Sequence, residues 1–167
     1  MLSSVEILIL AAIQGISEFL PVSSAAHLFL VAHYSVFNIQ SLLIDICLHL
    51  GSLLAIIAYF IKDLVSLVKN KDFLIKILLA TMPIVPIGYL FYQTGLINSL
   101  RNIEVIAWMS LIFAILLYFS DKTKVSEKLG ANFSIKSAII IGLFQVISLI
   151  PGVSRSGITI TAGRILG

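Results

Sequence analysis

Gln14-Gly15-Ile16-Ser17-Glu18-Phe19-Leu20-Pro21-Val22-Ser23-Ser24-Ala25-Ala26-His27 interrupts an apolar run that extends from Val5 to Val31. Pro21 lacks the backbone donor that a helix needs to continue, so the stretch reads as a helix, a break and a second short helix. Ser3-Ser4-Val5-Glu6 has the pattern of a capping box at the start of the first helix, and Ser23 or Ser24 is placed to cap the second. The polar residues at the break stand in a greasy setting. A carboxylate there is costly and persists where it pairs, lines a wet cavity or binds something.

Further along, Pro151-Gly152-Val153-Ser154-Arg155-Ser156-Gly157-Ile158-Thr159 repeats the plan, preceded by an apolar stretch that begins at Ser137. About fourteen helical residues rise about 21 Å, short of a hydrocarbon core of about 30 Å, so this break falls inside the membrane. The first segment must return to the outward stretch near Tyr34 and the second enters from the opposite side. Two re-entrant hairpins dipping from opposite faces, with their broken tips meeting near the midplane, are the mark of an inverted repeat.

Composition supports the membrane setting independently. The chain is 59% hydrophobic and 11% charged, with a mean hydropathy of +1.11, too little polar surface for a soluble globule of this size. Three ordinary spans are predicted, at about Leu42–Ile61, Phe73–Tyr92 and Ile103–Phe119. Lys62, Lys69, Lys71 and Lys76 surround the first connection between them, and Lys122, Lys124, Lys128 and Lys136 follow the third span. The second connection carries only Arg101, and Tyr34 to Ser41 has neither Lys nor Arg. The lysine bias puts the two Lys-rich connections in the cytoplasm and the other two outside. Loop lysines account for the net charge of +3, so no nucleic-acid partner is called for. There is no Lys or Arg before Lys62 and no signal-peptide pattern, so the N-terminus is expected to be retained. Cys47 is the lone cysteine and reads as a small buried hydrophobe. The expected fold is therefore all-α and polytopic: one integral membrane domain over 1–167, with three full spans flanked by two broken hairpins. The first repeat covers about 1–120, and 137–167 begins an unfinished second one.

The breaks carry chemistry. Gln14 and Glu18, four apart, share a helix face, and a carboxylate beside an amide oxygen suits a hard divalent cation, Mg²⁺ or Ca²⁺, that is completed by waters and phosphates. The plainer alternative is that Glu18 bonds to Arg155 or to backbone freed at Pro21. Ser23 and Ser24 offer hydroxyls at a helix N-terminus, a setting that favours anions. His27, one turn after Ser24, is within reach as its base or as the activator of a water, whereas His33 and His49 read as satisfied core histidines. Arg155 has a planar donor fork that matches phosphate and never discharges; with Ser154 and Ser156 beside it, the segment resembles an anion nest.

At these residues the chain resembles the bacterial undecaprenyl-diphosphate phosphatases, also called bacitracin-resistance proteins. Their first motif, an acidic or Gln residue, three others, Glu, then Phe-Leu-Pro-Val-Ser-Ser ending in His, matches Gln14 to His27, and their second, Pro-Gly-x-Ser-Arg-Ser-x-x-Thr, matches Pro151 to Thr159. The resemblance covers essentially the whole chain. It implies a multi-pass enzyme of the bacterial inner membrane that removes one phosphate from undecaprenyl diphosphate, a polyprenyl lipid carrier for cell-wall polymers, at a site open toward the periplasm. It also implies that Glu18, assisted by Gln14, holds the divalent cation and that Ser23, Ser154, Arg155, Ser156 and Thr159 bind the phosphates. Ser24 is then the nucleophile and His27 its base, or His27 activates a water directly.

Three departures from the pattern matter. Gln14 stands where many members have a second glutamate, and Ala25 where a Thr usually follows the serine pair. Members also extend with further spans beyond the second motif, whereas Gly167 follows Thr159 by eight residues, about 12 Å of helix. The expectation is a C-terminally truncated chain with little activity alone. A different class of reading stays open: the same broken-helix plan serves transporters, so the site could carry or flip a lipid phosphate without hydrolysis.

Overall fold

The computed structural model describes residues 3–34, 42–123 and 133–167, and all of their regular structure is helical. The Lys-free stretch 35–41, and Lys124 and Lys128, used above to orient the chain, lie outside the described residues. Helix α1 (Ser4–Phe19) opens on the predicted capping box: Ser3 N donates to Glu6 Oε2 at 2.6 Å and Glu6 N to Ser3 Oγ at 3.3 Å. It stops where Leu20 turns extended ahead of Pro21, and α2 (Ser24–Tyr34) follows. Helix α1 packs on both α2 and α3 (Leu42–Tyr59), with Leu10 and Leu28 buried at the centre of the packing and Ile13, Val31, Ile44 and Leu48 around them.

The predicted span over Leu42–Ile61 is shorter in the structure. After Tyr59 the chain bends by 75° into α4 (Ile61–Lys69). The reason is composition: Lys62, Asp63, Ser66 and Lys69 fall on one face of α4 and Ile61, Leu64, Val65 and Val68 on the other, the pattern of a helix that lies along an interface. Helices α5 (Lys71–Thr81) and α6 (Ile84–Gln93) form one apolar stretch, Lys71–Gln93, because Met82 and Pro83 keep helical backbone angles between them. A short α7 (Leu96–Leu100) leads to α8 (Ile103–Asp121). Among the described residues, Lys71–Gln93 and Ile103–Asp121 are long and apolar enough to cross a membrane, and the bent α3–α4 pair makes a third if it counts as one span.

The second broken hairpin is α9 (Ile135–Ile147) and α10 (Arg155–Leu166). Helix α9 packs so closely on α5 that a Cβ at Gly142 would lie 2.7 Å from the Ala80 carbonyl oxygen. Helix α10 packs on α8 and α9, burying Ile158 and Ala162, and its far end is tied to α8 by the Arg164–Asp121 ion pair. Arg101, just after α7, joins this part to the first by pairing with Asp45 of α3 at 2.7 Å and facing the Phe29 ring of α2.

The exterior is far more apolar than that of a water-soluble protein. Leu8, Leu43, Val85, Tyr89 and Trp108 are exposed, whereas Gln14, Ser17, Ser23, Ser24 and Thr161 are buried. A widely apolar exterior with polar side chains among the buried ones, on helices that satisfy their own backbone, is the pattern of a helical membrane protein.

Candidate active site

Each break is built by local backbone chemistry. In the first, Val22 N bonds to Leu20 O at 2.8 Å, and Ser23 adopts φ 62, a left-handed conformation that non-glycine residues seldom hold. The His27 ring braces it: Nδ1 lies 2.9 Å from the Ser23 carbonyl oxygen, and since a carbonyl only accepts, Nδ1 carries the proton. In the second break, three tight turns at the end of α9 lead to Pro151 and to Gly152 at φ 96. Gly152 sits where any side chain would collide, because a Cβ there would be 2.6 Å from the Ile106 carbonyl oxygen. Ser154 then caps α10, its Oγ accepting from Gly157 N at 3.2 Å.

The two breaks meet at a cavity of about 410 Å³. Ser17, Glu18, Ser23, Ser24 and Ala25 line it from the first hairpin, His49 from α3, and Gln145, Ser148, Ser154, Arg155, Ser156 and Thr159 from the second. On one wall Glu18 Oε2 accepts from Gln14 Nε2 at 2.9 Å and from Ser24 Oγ at 2.5 Å. On the other, Arg155 spends only its Nε, on Ser148 Oγ at 3.4 Å, and makes no ion pair among the described residues. Its remaining donors therefore stay available to an anion, beside the linked hydroxyls of Ser154 and Ser156 at 3.0 Å and the positive end of α10. A polar cavity with a hydroxyl that donates to a carboxylate on one side and an unpaired guanidinium on the other has the donors to hold an anion such as phosphate.

The sequence carries a family match over the same elements. The model of bacitracin resistance protein BacA matches residues 7–167. The chain belongs to that family. Among proteins similar to this BacA-family chain are three called undecaprenyl-diphosphatase. The one from Pelagibacter ubique is 52% identical over 162 residues, 96% of this chain and 63% of that protein. The one from Roseobacter denitrificans is 42% identical over 174 residues, 96% and 65% of the two. The one from Jannaschia sp. is 40% identical over 172 residues, 95% and 64%. The chain thus spans just under two thirds of the length of these curated relatives.

Of the residues singled out from the sequence, this BacA-family structure brings Glu18, Ser23, Ser24, Ser154, Arg155, Ser156 and Thr159 to one cavity, with Gln14 buried directly behind Glu18. Thr159 engages its hydroxyl on its own helix, at the carbonyls of Arg155 and Ser156. His27 does not line the cavity, and its nearer nitrogen is spent on Ser23; the group that Ser24 contacts is Glu18. The reading of His49 as a core histidine is overturned, for its Nε2 faces Glu18 Oε2 at 3.6 Å. Its signal was available as a polar stripe at helical spacing, Asp45, His49 and Ser52, inside an apolar helix. Gln145 was also missed; it stands six residues before Pro151, much as Gln14 stands seven before Pro21.

No group of three or more His, Cys, Asp or Glu side chains converges among the described residues. The donor set nevertheless fits a hydrated hard cation: Glu18 supplies a carboxylate, and Gln14 Oε1 is a buried oxygen without a hydrogen-bond partner. Turning the Gln14 amide over would bring that oxygen beside the carboxylate, leaving waters and phosphate to complete the shell.

Proposed function

We propose that this chain carries the catalytic residues of an undecaprenyl-diphosphate phosphatase, which converts the lipid diphosphate to the monophosphate and inorganic phosphate and so recycles the carrier for wall synthesis. The observation that carries the reading is the Ser24 hydroxyl donating to Glu18 across a cavity from an unpaired Arg155. The names of the relatives point the same way.

In this mechanism Arg155, Ser154 and Ser156 receive the terminal phosphate, with Ser23 and the N-terminus of α2 on its other side. Ser24 Oγ attacks the terminal phosphorus and passes its proton to Glu18 Oε2. The bond from that phosphorus to the bridging oxygen breaks, and the leaving group is the lipid monophosphate. A water then releases phosphate from Ser24. Arg155 stabilises the charge that spreads over the phosphoryl oxygens, the positioning and electrostatic work that dominates phosphoryl transfer. A divalent cation held by Glu18 and Gln14 would supply charge neutralisation of the diphosphate. The role of His27 is to hold Ser23, and with it the break, in place. An apolar pocket of about 180 Å³ shares Ser154 with the cavity and is walled by Val22, Phe113, Ala114, Leu117 and Ile158; it suits the first carbons of the prenyl tail.

The same reading extends to the membrane. Helix α3, the α5–α6 stretch and α8 are three spans of the bacterial plasma membrane, and the two broken hairpins are re-entrant halves of an inverted repeat. Helix α4 lies on the cytoplasmic surface with Lys62 and Lys69 toward the headgroups, and the cavity opens to the periplasm. The deciding experiment is phosphate release from a polyprenyl diphosphate in detergent by the protein and its Ser24→Ala and Glu18→Gln variants. Losses of about 10²-fold or more are expected from both. Near-native release by Ser24→Ala would remove the serine from the chemistry, and binding without release by the unaltered protein would favour a carrier.

A further inference from the structure

We infer that His49 is a positioning residue for Glu18, one that keeps its carboxylate turned toward Ser24. The inference rests on the proposed role of Glu18 as acceptor of the Ser24 proton. Glu18 Oε2 already takes two hydrogen bonds, from Gln14 on its own helix and from Ser24 across the break. Both partners belong to the first hairpin, so neither ties the carboxylate to the rest of the protein. His49, on α3, does. Its Nδ1 lies 2.8 Å from the Asp45 carbonyl oxygen one turn earlier, which puts the proton on Nδ1 and aims Nε2 outward from the helix. That nitrogen faces Glu18 Oε2 at 3.6 Å, with the two side chains 40% and 33% exposed, both opening on the cavity. At this separation Nε2 is within ion-pair range of the carboxylate and is the contact that reaches Glu18 from α3.

The anchor is itself anchored. Asp45 Oδ2 accepts from Arg101 at 2.7 Å, and that guanidinium also faces the Phe29 ring at 6.0 Å, so the turn of α3 bearing His49 is pinned to α2 and to the end of α7. The ring thereby relates the Glu18 rotamer to the frame of the protein. A carboxylate free to turn away from Ser24 would leave the nucleophile without its acceptor, and displacements of about 1 Å at such a site cost heavily in rate.

Two measurements test this. In phosphate-release assays His49→Phe, which keeps the ring and loses both nitrogens, should lower kcat by about 10-fold and leave KM nearly unchanged, in line with residues that orient a catalytic group. His49→Gln, which restores a polar group near Nε2, should recover part of the loss, and in a Glu18→Gln background His49→Phe should add no further loss. A rise in KM at constant kcat, or an equal loss in both backgrounds, would overturn the role. The second measurement needs no activity. The chain has three histidines, so ¹⁵N-histidine spectra can be assigned with single variants, and Glu18→Gln should move the His49 ring resonances while leaving those of His33 in place. Unmoved His49 resonances would overturn the contact itself. If the protein releases no phosphate but the resonances move, the His49–Glu18 coupling stands whatever becomes of the phosphatase reading.

Discussion

Gly157 lies against Pro21: a Cβ built on the glycine would come 3.4 Å from the Pro21 carbonyl oxygen and 3.5 Å from its Cβ. The first turn of α10 therefore packs directly on the break of the first hairpin. Residues more than 130 positions apart become neighbours here because neither break has regular backbone pairing of its own and each needs the other for cover. The same contact brings Arg155 and Ser24 to one cavity.

Arg155→Ala is expected to lower turnover by about 10²-fold or more, as removal of a preorganised donor to developing charge does elsewhere. Arg155→Lys should restore only part of it, since an ammonium lacks the planar fork. Phosphate release from a polyprenyl diphosphate measures both, and near-native rates for the alanine variant would take Arg155 out of the site.

Gln14→Glu should strengthen cation dependence. The substitution puts a second carboxylate four residues from Glu18 on the same helix face, which raises affinity for Mg²⁺ or Ca²⁺ and creates a repulsion that only a cation relieves. Titrating activity with each cation after chelation should give a lower midpoint than for the unaltered protein. Activity indifferent to chelation in both would refute the cation.

Gly142→Ala and Gly152→Ala are expected to destabilise the fold by about 1–3 kcal/mol each or more, as overpacking does. Their added methyls would meet backbone oxygens at 2.7 and 2.6 Å, and Gly152 in addition sits at φ 96. Gly51→Ala is the control, having open space around the new methyl. Thermal unfolding in detergent should rank the two variants well below the control; equal midpoints would contradict the close packing of α9 on α5 and of the second break on α8.

Orientation can be read by impermeant thiol labelling of single cysteines in a Cys47→Ser background. Asn98, in α7, should react from outside intact cells, and Asn70, between α4 and α5, only after permeabilisation. Outside labelling at Asn70 would reverse the proposed orientation and close the site to the periplasm.

Much of this was legible in the linear chain, because it follows from chemistry local to a few residues. Pro21 and Pro151, each set beside Ser and Gly or Val residues that leave helical geometry, interrupt their helices locally, Ser3 and Glu6 cap one within a single turn, and a long run of Leu, Ile and Phe cannot be covered by the few charges present. The placing of Glu18, Ser24 and Arg155 at one site followed from the cost of polar groups among apolar ones. Which partner each polar group takes was not legible. Ser24 turns to Glu18 and not to His27, and His49 faces the cavity, because those choices depend on how α1, α2 and α3 cross. Backbone breaks are decided within a turn or two of chain, whereas a hydrogen-bond partner is decided by distances between helices, and those exist only once the helices have packed.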